Sequence, residues 1–201
     1  MTMPSKDYFP LKKGLRLEYA YESNEFSAPA RVVLTILRVS GKGAALSAVA
    51  RMTTALKGQE TSTEYKIAKT AKNVNTFDGI IVGGRLELQL PPTPGLKWRD
   101  QCELCEIKSV NEKVKTPAGV FTGCVRVDSK IDLEGGGHAR RYYAPGVGYV
   151  MEEYCTDDIQ AHVRLVSLSE ATQKDMSAKT VRRSLASRNK MSGCPSREKQ
   201  K

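Results

Sequence analysis

Phe121-Thr122-Gly123-Cys124-Val125-Arg126-Val127-Asp128-Ser129-Lys130-Ile131-Asp132-Leu133 alternates from end to end. Phe121, Gly123, Val125, Val127, Ser129, Ile131 and Leu133 make one mostly apolar face, while Cys124, Arg126, Asp128, Lys130 and Asp132 make the opposite, polar one. A period of two marks a long strand with one side on a core and the other in water. Gly135-Gly136-Gly137 then supplies a turn and His138–Ala144 returns as the partner strand. Pro145-Gly146-Val147-Gly148 turns the chain again, Tyr149–Tyr154 comes back, and Ile159–Leu168 is the last strand. Connections this short join antiparallel neighbours.

The first half follows the same rule. Leu15, Leu17, Tyr19 and Tyr21 share one face, with Arg16, Glu18, Ala20 and Glu22 opposite. Arg31–Val39 is β-branched and apolar on both faces, as a central strand is. Leu46–Met52 is Ala-rich and alternates weakly, which leaves a helix as the alternative. Gly41, Gly43 and Gly58 bracket it like turns and favour a strand. Thr63–Ala68 and Arg85–Leu90 follow, the latter predicted to turn Leu86, Leu88 and Leu90 inward. Pro91, Pro92, Pro94 and Gly95 break the sheet into a long connection closed by Trp98. A lone Trp beside such a turn reads as a plug at the end of a core, with ligand stacking as the alternative. The pattern predicts an all-β fold: a curved antiparallel sheet, half-barrel or barrel of about ten strands, followed by a basic C-terminal tail.

Charge sets the domain boundary. The 201 residues carry a net charge of +10, yet nine Lys or Arg against two acids fall between Thr172 and Lys201. The remaining chain carries 23 basic against 20 acidic groups, and the last aromatic residue is Tyr154. The expected organisation is a β domain over 1–168 and a basic, partly helical or disordered tail over 169–201, with Ser169 as a helix cap. No run of eighteen apolar residues predicts a transmembrane helix. The opening MTMPSKDYFP lacks the apolar stretch of a signal peptide, so the sequence as given reads as cytoplasmic, and as periplasmic if an export signal is missing from it.

Few residues point to chemistry. Cys102-Glu103-Leu104-Cys105 has the spacing of a zinc knuckle, with Cys124 and Cys155 to complete four thiolates. Such a knuckle needs a tight turn, whereas Glu103-Leu104 is strand-like and sends residues three apart to opposite faces. No metal and no cofactor are therefore expected. Five cysteines cannot all pair; buried or edge thiols are the simpler reading, with one disulfide in an oxidising compartment. His138 and His162 read as a hairpin-edge and a strand-surface residue, and no nucleophile elbow, paired-histidine helix or phosphate loop occurs. Arg140-Arg141-Tyr142-Tyr143 interleaves cations with aromatics, Arg140 and Tyr142 on one face and Arg141 and Tyr143 on the other. One such pair per face is a thin nucleic-acid platform.

Two stretches carry a family resemblance. Asp7-Tyr8-Phe9-Pro10-Leu11-Lys12-Lys13-Gly14 and the strand after it resemble an opening of the form Y-F-P-L-x-x-G-x-x-W-x-Y. Lys115-Thr116-Pro117-Ala118-Gly119-Val120-Phe121, leading into Cys124 and Val127, with Tyr142-Tyr143-Ala144-Pro145-Gly146-Val147-Gly148-Tyr149-Val150, resembles a P-A-G-x-F … Y-A-P-G-V-G pattern. Together they are similar to bacterial TapB-like β-rich domains of unknown function. The resemblance spans about residues 7 to 168 and implies a curved sheet like the LolA/LolB lipoprotein-carrier half-barrels, in periplasmic proteins or lipoproteins. Leu17 departs from it, standing where an aromatic is usual, and the family's export signal and lipobox cysteine are absent from the sequence as given.

The functional expectation is a non-catalytic binding or scaffold module, for an apolar ligand or a protein partner, with Trp98, Arg140, Tyr142 and Tyr149 as binding candidates. Leu86, Leu88, Leu90, Val125 and Val127 join Tyr149 as candidates to line a concave face, and are equally candidates for plain core. The alternative is nucleic-acid or anionic-surface binding through the tail, with Arg182 and Arg183 as its candidates. A thiol- or zinc-dependent enzyme comes third.

Overall fold

The computed structural model describes residues 7–132 and 135–177. Twelve strands follow in order: β1 (Leu15–Ser23), β2 (Ala30–Lys42), β3 (Ala45–Leu56), β4 (Gln59–Lys69), β5 (Asn73–Thr76) and β6 (Arg85–Gln89). Then come β7 (Lys97–Asp100), β8 (Glu103–Thr116), β9 (Gly119–Ile131), β10 (Gly137–Ala144), β11 (Gly148–Thr156) and β12 (Gln160–Glu170). A five-residue helix, α1 (Gln173–Ser177), ends the described chain.

All twelve strands form one antiparallel sheet in the order β6-β5-β4-β3-β2-β1-β12-β11-β10-β9-β8-β7. Two meanders therefore meet where β1 pairs with β12, and the sheet curls until β6 and β7 face each other, giving a nearly closed barrel. Side chains bridge that seam in place of a ladder. The Leu86 N–H donates to an Asp100 carboxylate oxygen, the Trp98 indole N–H donates to the Leu86 carbonyl (3.3 Å), and the Gln101 amide donates to the Gly84 carbonyl (2.9 Å). These bridges cover the two edge strands, β6 and β7, which would otherwise invite pairing with other chains.

Alternation carried the core, and bulges moved it. Leu17, Tyr19 and Tyr21 point inward and are buried, as their period predicts. In β6 the expected inward row was Leu86, Leu88 and Leu90. A register shift lets Val74 pair with Leu88 and Asn75 with Leu86, so Glu87 is skipped. Leu88 is buried, Leu86 and Leu90 are only partly buried, and Arg85 and Glu87 are buried beside Leu88. The sequence predicts about ten strands, nine of them named; the structure adds β5 and β7, whose four residues are too few for alternation to register, and β8, of which only Glu103-Leu104 reads as strand-like. Arg31–Val39 lies within β2, between β1 and β3. Val33 and Leu37 are buried as well as Val32 and Ile36, and α1 lies against this strand. Ser169 is no helix cap: it pairs with Arg16 inside β12. Thr172 caps α1 instead, accepting from the Asp175 N–H at 3.2 Å, while the Asp175 carboxylate accepts from the Thr172 N–H at 2.8 Å.

The resembling motifs are used as closures. Asp7–Gly14 crosses one end of the barrel, with Tyr8 and Phe9 buried. The Gly146 N–H, in the β10–β11 turn, donates to the Asp7 carbonyl at 2.7 Å, and the Phe9 ring packs on Tyr143 at 6.3 Å. The long β8–β9 hairpin carries three register shifts, and the Ala118 N–H at its tip reaches the Leu165 carbonyl on β12 at 3.1 Å. Gly148 holds φ +99°, and a Cβ there would lie 3.4 Å from Pro10 Cδ. Gly148→Ala is expected to lower stability by about 1–3 kcal/mol, read as a shift in the urea midpoint, because an L side chain is strained at that φ.

Candidate functional site

The residues with the most chemical potential lie inside the barrel. On β10, Arg141 falls between the inward Ala139 and Tyr143; on β11, Glu152 falls between Val150 and Tyr154. The two sit directly opposite each other in the ladder. Glu103 and Cys105 on β8, Ser129 on β9, and Arg85 and Glu87 on β6 complete a charged belt. Arg141 is 0% exposed, Glu152 1% and Glu103 2%.

The belt is held by charge-assisted hydrogen bonds. Arg85 grips Glu152 with both terminal nitrogens, at 2.9 and 2.7 Å, and its Nε stands 3.1 Å from Glu87 Oε1. Glu87 also accepts from Tyr143 (2.7 Å) and Thr76 (3.0 Å), and Glu152 accepts from Tyr149 (2.6 Å). Arg141 Nη2 donates to Ser129 Oγ (2.8 Å) and Cys105 Sγ (3.1 Å) and lies 3.2 Å from Glu103 Oε2.

These surroundings set the protonation states. Burial pushes the Glu87 carboxyl up, but Arg85, Arg141 and its hydrogen bonds from Tyr143 and Thr76 outweigh that and leave it below the ordinary carboxylate range. Glu103 is likewise lowered: burial opposes, and Arg141, Arg85 and Ser129 prevail. Burial raises the Cys105 thiol despite Arg141, and burial, then Glu112, pushes Cys124 up to about 11. A general acid near neutral pH needs a raised carboxyl and a nucleophilic cysteine a lowered thiol, and these groups are shifted the other way. The belt's hydrogen bonds and ion pairs tie β6, β8, β9, β10 and β11 together.

The pH consequences have definite signs. Glu87 and Glu103 bind protons more weakly folded than unfolded, so their stabilisation is present above the unfolded value of about 4.3 and fades as pH falls below it. Tyr19, Tyr143 and Tyr149 are raised well above the ordinary phenol, first by burial and then by neighbouring acidic groups. Their contribution is intact below about pH 10 and is lost as the unfolded phenols ionise above it. An alkaline titration followed at 295 nm and by circular dichroism should show part of the eight tyrosines ionising only as the sheet signal collapses. Full ionisation near pH 10 with the sheet intact would contradict the placement of these three rings.

The candidate residues read from sequence do not converge on one place. Trp98 is buried at the β6–β7 seam. Tyr149 is partly buried inside, its ring tilted against Tyr19 (5.6 Å) and Tyr143 (6.0 Å). Arg140 is on the outer face and pairs with Glu153 (3.2 Å) and Asp128 (3.6 Å), and Tyr142 beside it is half-buried. Acidic neighbours thus accompany the Arg140 cation, which weakens that face as a platform for phosphates. Arg182 and Arg183 lie outside the described residues. Cys105 and Cys124 fall in separate core clusters, and among the described residues no three His, Cys, Asp or Glu side chains are grouped to hold a metal. The belt itself was missed, although Arg141 and Glu152 each carry a charge at the parity of apolar neighbours.

Among the described residues the core is closely packed. Ile67, Leu88, Ile107, Val125, Val127, Ile131 and Leu165 are each 0% exposed. A cleft under the opening segment, lined by Phe9, Pro10, Leu17, Ile67, Val147 and Tyr149, encloses about 20 Å³, the scale of a single water. Of the residues expected to line a concave face, Leu88, Val125 and Val127 are buried in the core, while Leu86, Leu90 and Tyr149 are only partly buried.

No family model matches the chain, and no curated protein matches it in sequence. Solved structures do share its fold. A "putative exported protein with YmcC-like fold" from Bacteroides fragilis NCTC 9343 superposes with a TM-score of 0.61 at 15% identity, over 82% of this chain and 100% of its own. A "putative lipoprotein" from Parabacteroides distasonis ATCC 8503 gives 0.59 at 14%, over 83% and 100%. The class of fold is therefore the YmcC-like, barrel-like antiparallel sheet. No described helix is long and apolar enough to cross a membrane.

Proposed function

We propose that this chain is a non-catalytic binding or scaffold domain of the bacterial envelope, TapB-like in its motifs, which meets a protein partner with the outside of a filled barrel. The packed core carries the reading: Leu88, Val125 and Val127, candidates to line a ligand-binding face, lie among other core side chains, and the belt's groups are paired with one another. The envelope assignment draws on the two structural neighbours, described as exported and as a lipoprotein, and on the TapB-like motifs at residues 7–14 and 142–150. Fractionation of the producing bacterium, with the chain expressed from its own gene, tests the compartment. Recovery with the periplasm or membranes is expected; recovery in the cytosol alone would sink the assignment.

A second reading rests on the uneven charge. Nine basic residues against two acids after Thr172 give the tail an electrostatic attraction for phosphate-bearing surfaces at low salt. The full chain and a 1–171 truncation would be compared on phosphatidylglycerol vesicles and on duplex DNA. The tail reading expects binding by the full chain to weaken steeply with salt and to vanish in the truncation. Undiminished binding by the truncation rules the tail out.

A further inference from the structure

The charged belt has hydrogen-bonding capacity that its own members leave unused. Arg141 makes all its contacts through Nη2; its Nε and Nη1 have no partner in the protein. Glu103 Oε1 has none either, although Oε2 of the same carboxylate is 3.2 Å from Arg141. Both residues are almost wholly buried. Buried polar atoms are as a rule hydrogen-bonded, and a cluster of unsatisfied ones points to a molecule that completes them.

The unused atoms select its chemistry. With Arg85 Nε, which also makes no hydrogen bond, three are donors and one is an acceptor, so the occupant must both accept and donate. Three carboxylates, Glu87, Glu103 and Glu152, stand against two guanidiniums, Arg85 and Arg141, so a further anion meets excess negative charge. A metal cation would face the N–H groups of Arg141. A neutral molecule that accepts from one side and donates to the other is water, the usual companion of buried polar networks.

We propose that Arg141 and Glu103 enclose an internal water site in the barrel, where water accepts from Arg141 Nη1 or Nε and donates to Glu103 Oε1, linking β10 to β8. The belt is then a hydrated layer between apolar clusters, and this water exchanges with bulk only when the barrel opens.

Near-atomic-resolution crystals of the full chain test this directly, one set grown without halide and one soaked in bromide. The expected result is a water peak bonded to both residues in each set, with no bromine anomalous signal. A bromide peak on Arg141 would overturn the choice of water, and a direct Arg141–Glu103 fit with no peak would overturn the site. Oxygen-17 relaxation dispersion extends the test to solution. Long-lived internal water is expected in the wild type and a smaller contribution in the double variant Arg141→Met, Glu103→Leu. A wild-type profile with no long-lived water overturns the proposal, and that outcome does not depend on the variant folding.

Discussion

Glu152→Ala is expected to destabilise the barrel by about 3–5 kcal/mol, the usual cost of removing one partner from a buried ion pair. Glu152 is 1% exposed and accepts both terminal nitrogens of Arg85 and the Tyr149 hydroxyl. Its loss leaves a guanidinium in the interior with only Glu87 beside it, and a phenol without its acceptor. Removing the whole group should be far milder, because the desolvation of the charges disappears with them. The triple variant Arg85→Met, Glu87→Met, Glu152→Leu is therefore expected to recover most of the loss. Urea unfolding at pH 7 reads both. A cost below about 1 kcal/mol for Glu152→Ala, the level of an exposed pair, would mean that the belt is open to solvent.

Trp98→Ala is expected to cost about 3–5 kcal/mol, as truncation of a large buried aromatic does. Trp98 is 8% exposed and packs in the second core cluster with Leu88, Ile107 and Val127. It also stands on four-residue β7, where its indole is one of three side-chain bridges across the seam. Trp98→Phe keeps most of the packing and drops the bond to the Leu86 carbonyl, for about 1 kcal/mol. Hydrogen exchange should accelerate first at β6 and β7 in both variants, while β1 and β12 keep their protection relative to global unfolding. Uniform acceleration along all strands would show that the seam has no separate stability.

Alternation made most of the strands legible. Leu15–Tyr21 and Tyr149–Tyr154 each bury one parity, and β9 does so from Val125 to Ile131, although Cys124, expected on the polar face, is buried too; a period of two leaves that parity visible without any knowledge of partners. Closure was not legible, because pairing of β1 with β12 and the facing of β6 and β7 join residues far apart in sequence. The charged belt lay halfway between. Arg141 and Glu152 sit at inward parity between apolar residues and were within reach of the same rule. Arg85 and Glu87 were not, because the β5–β6 register shift changes which β6 residues face the core. The tail's charge was evident from composition, whereas α1's cap depended on how far β12 extends.

The central claim is that the barrel's interior is occupied by its own side chains and carries no ligand. Native mass spectrometry of the full chain, purified from its native source without detergent, tests it most directly. The account predicts the mass of the polypeptide with no lipid adduct, before and after organic extraction. A stoichiometric hydrophobic adduct that survives purification and is released by extraction would contradict it.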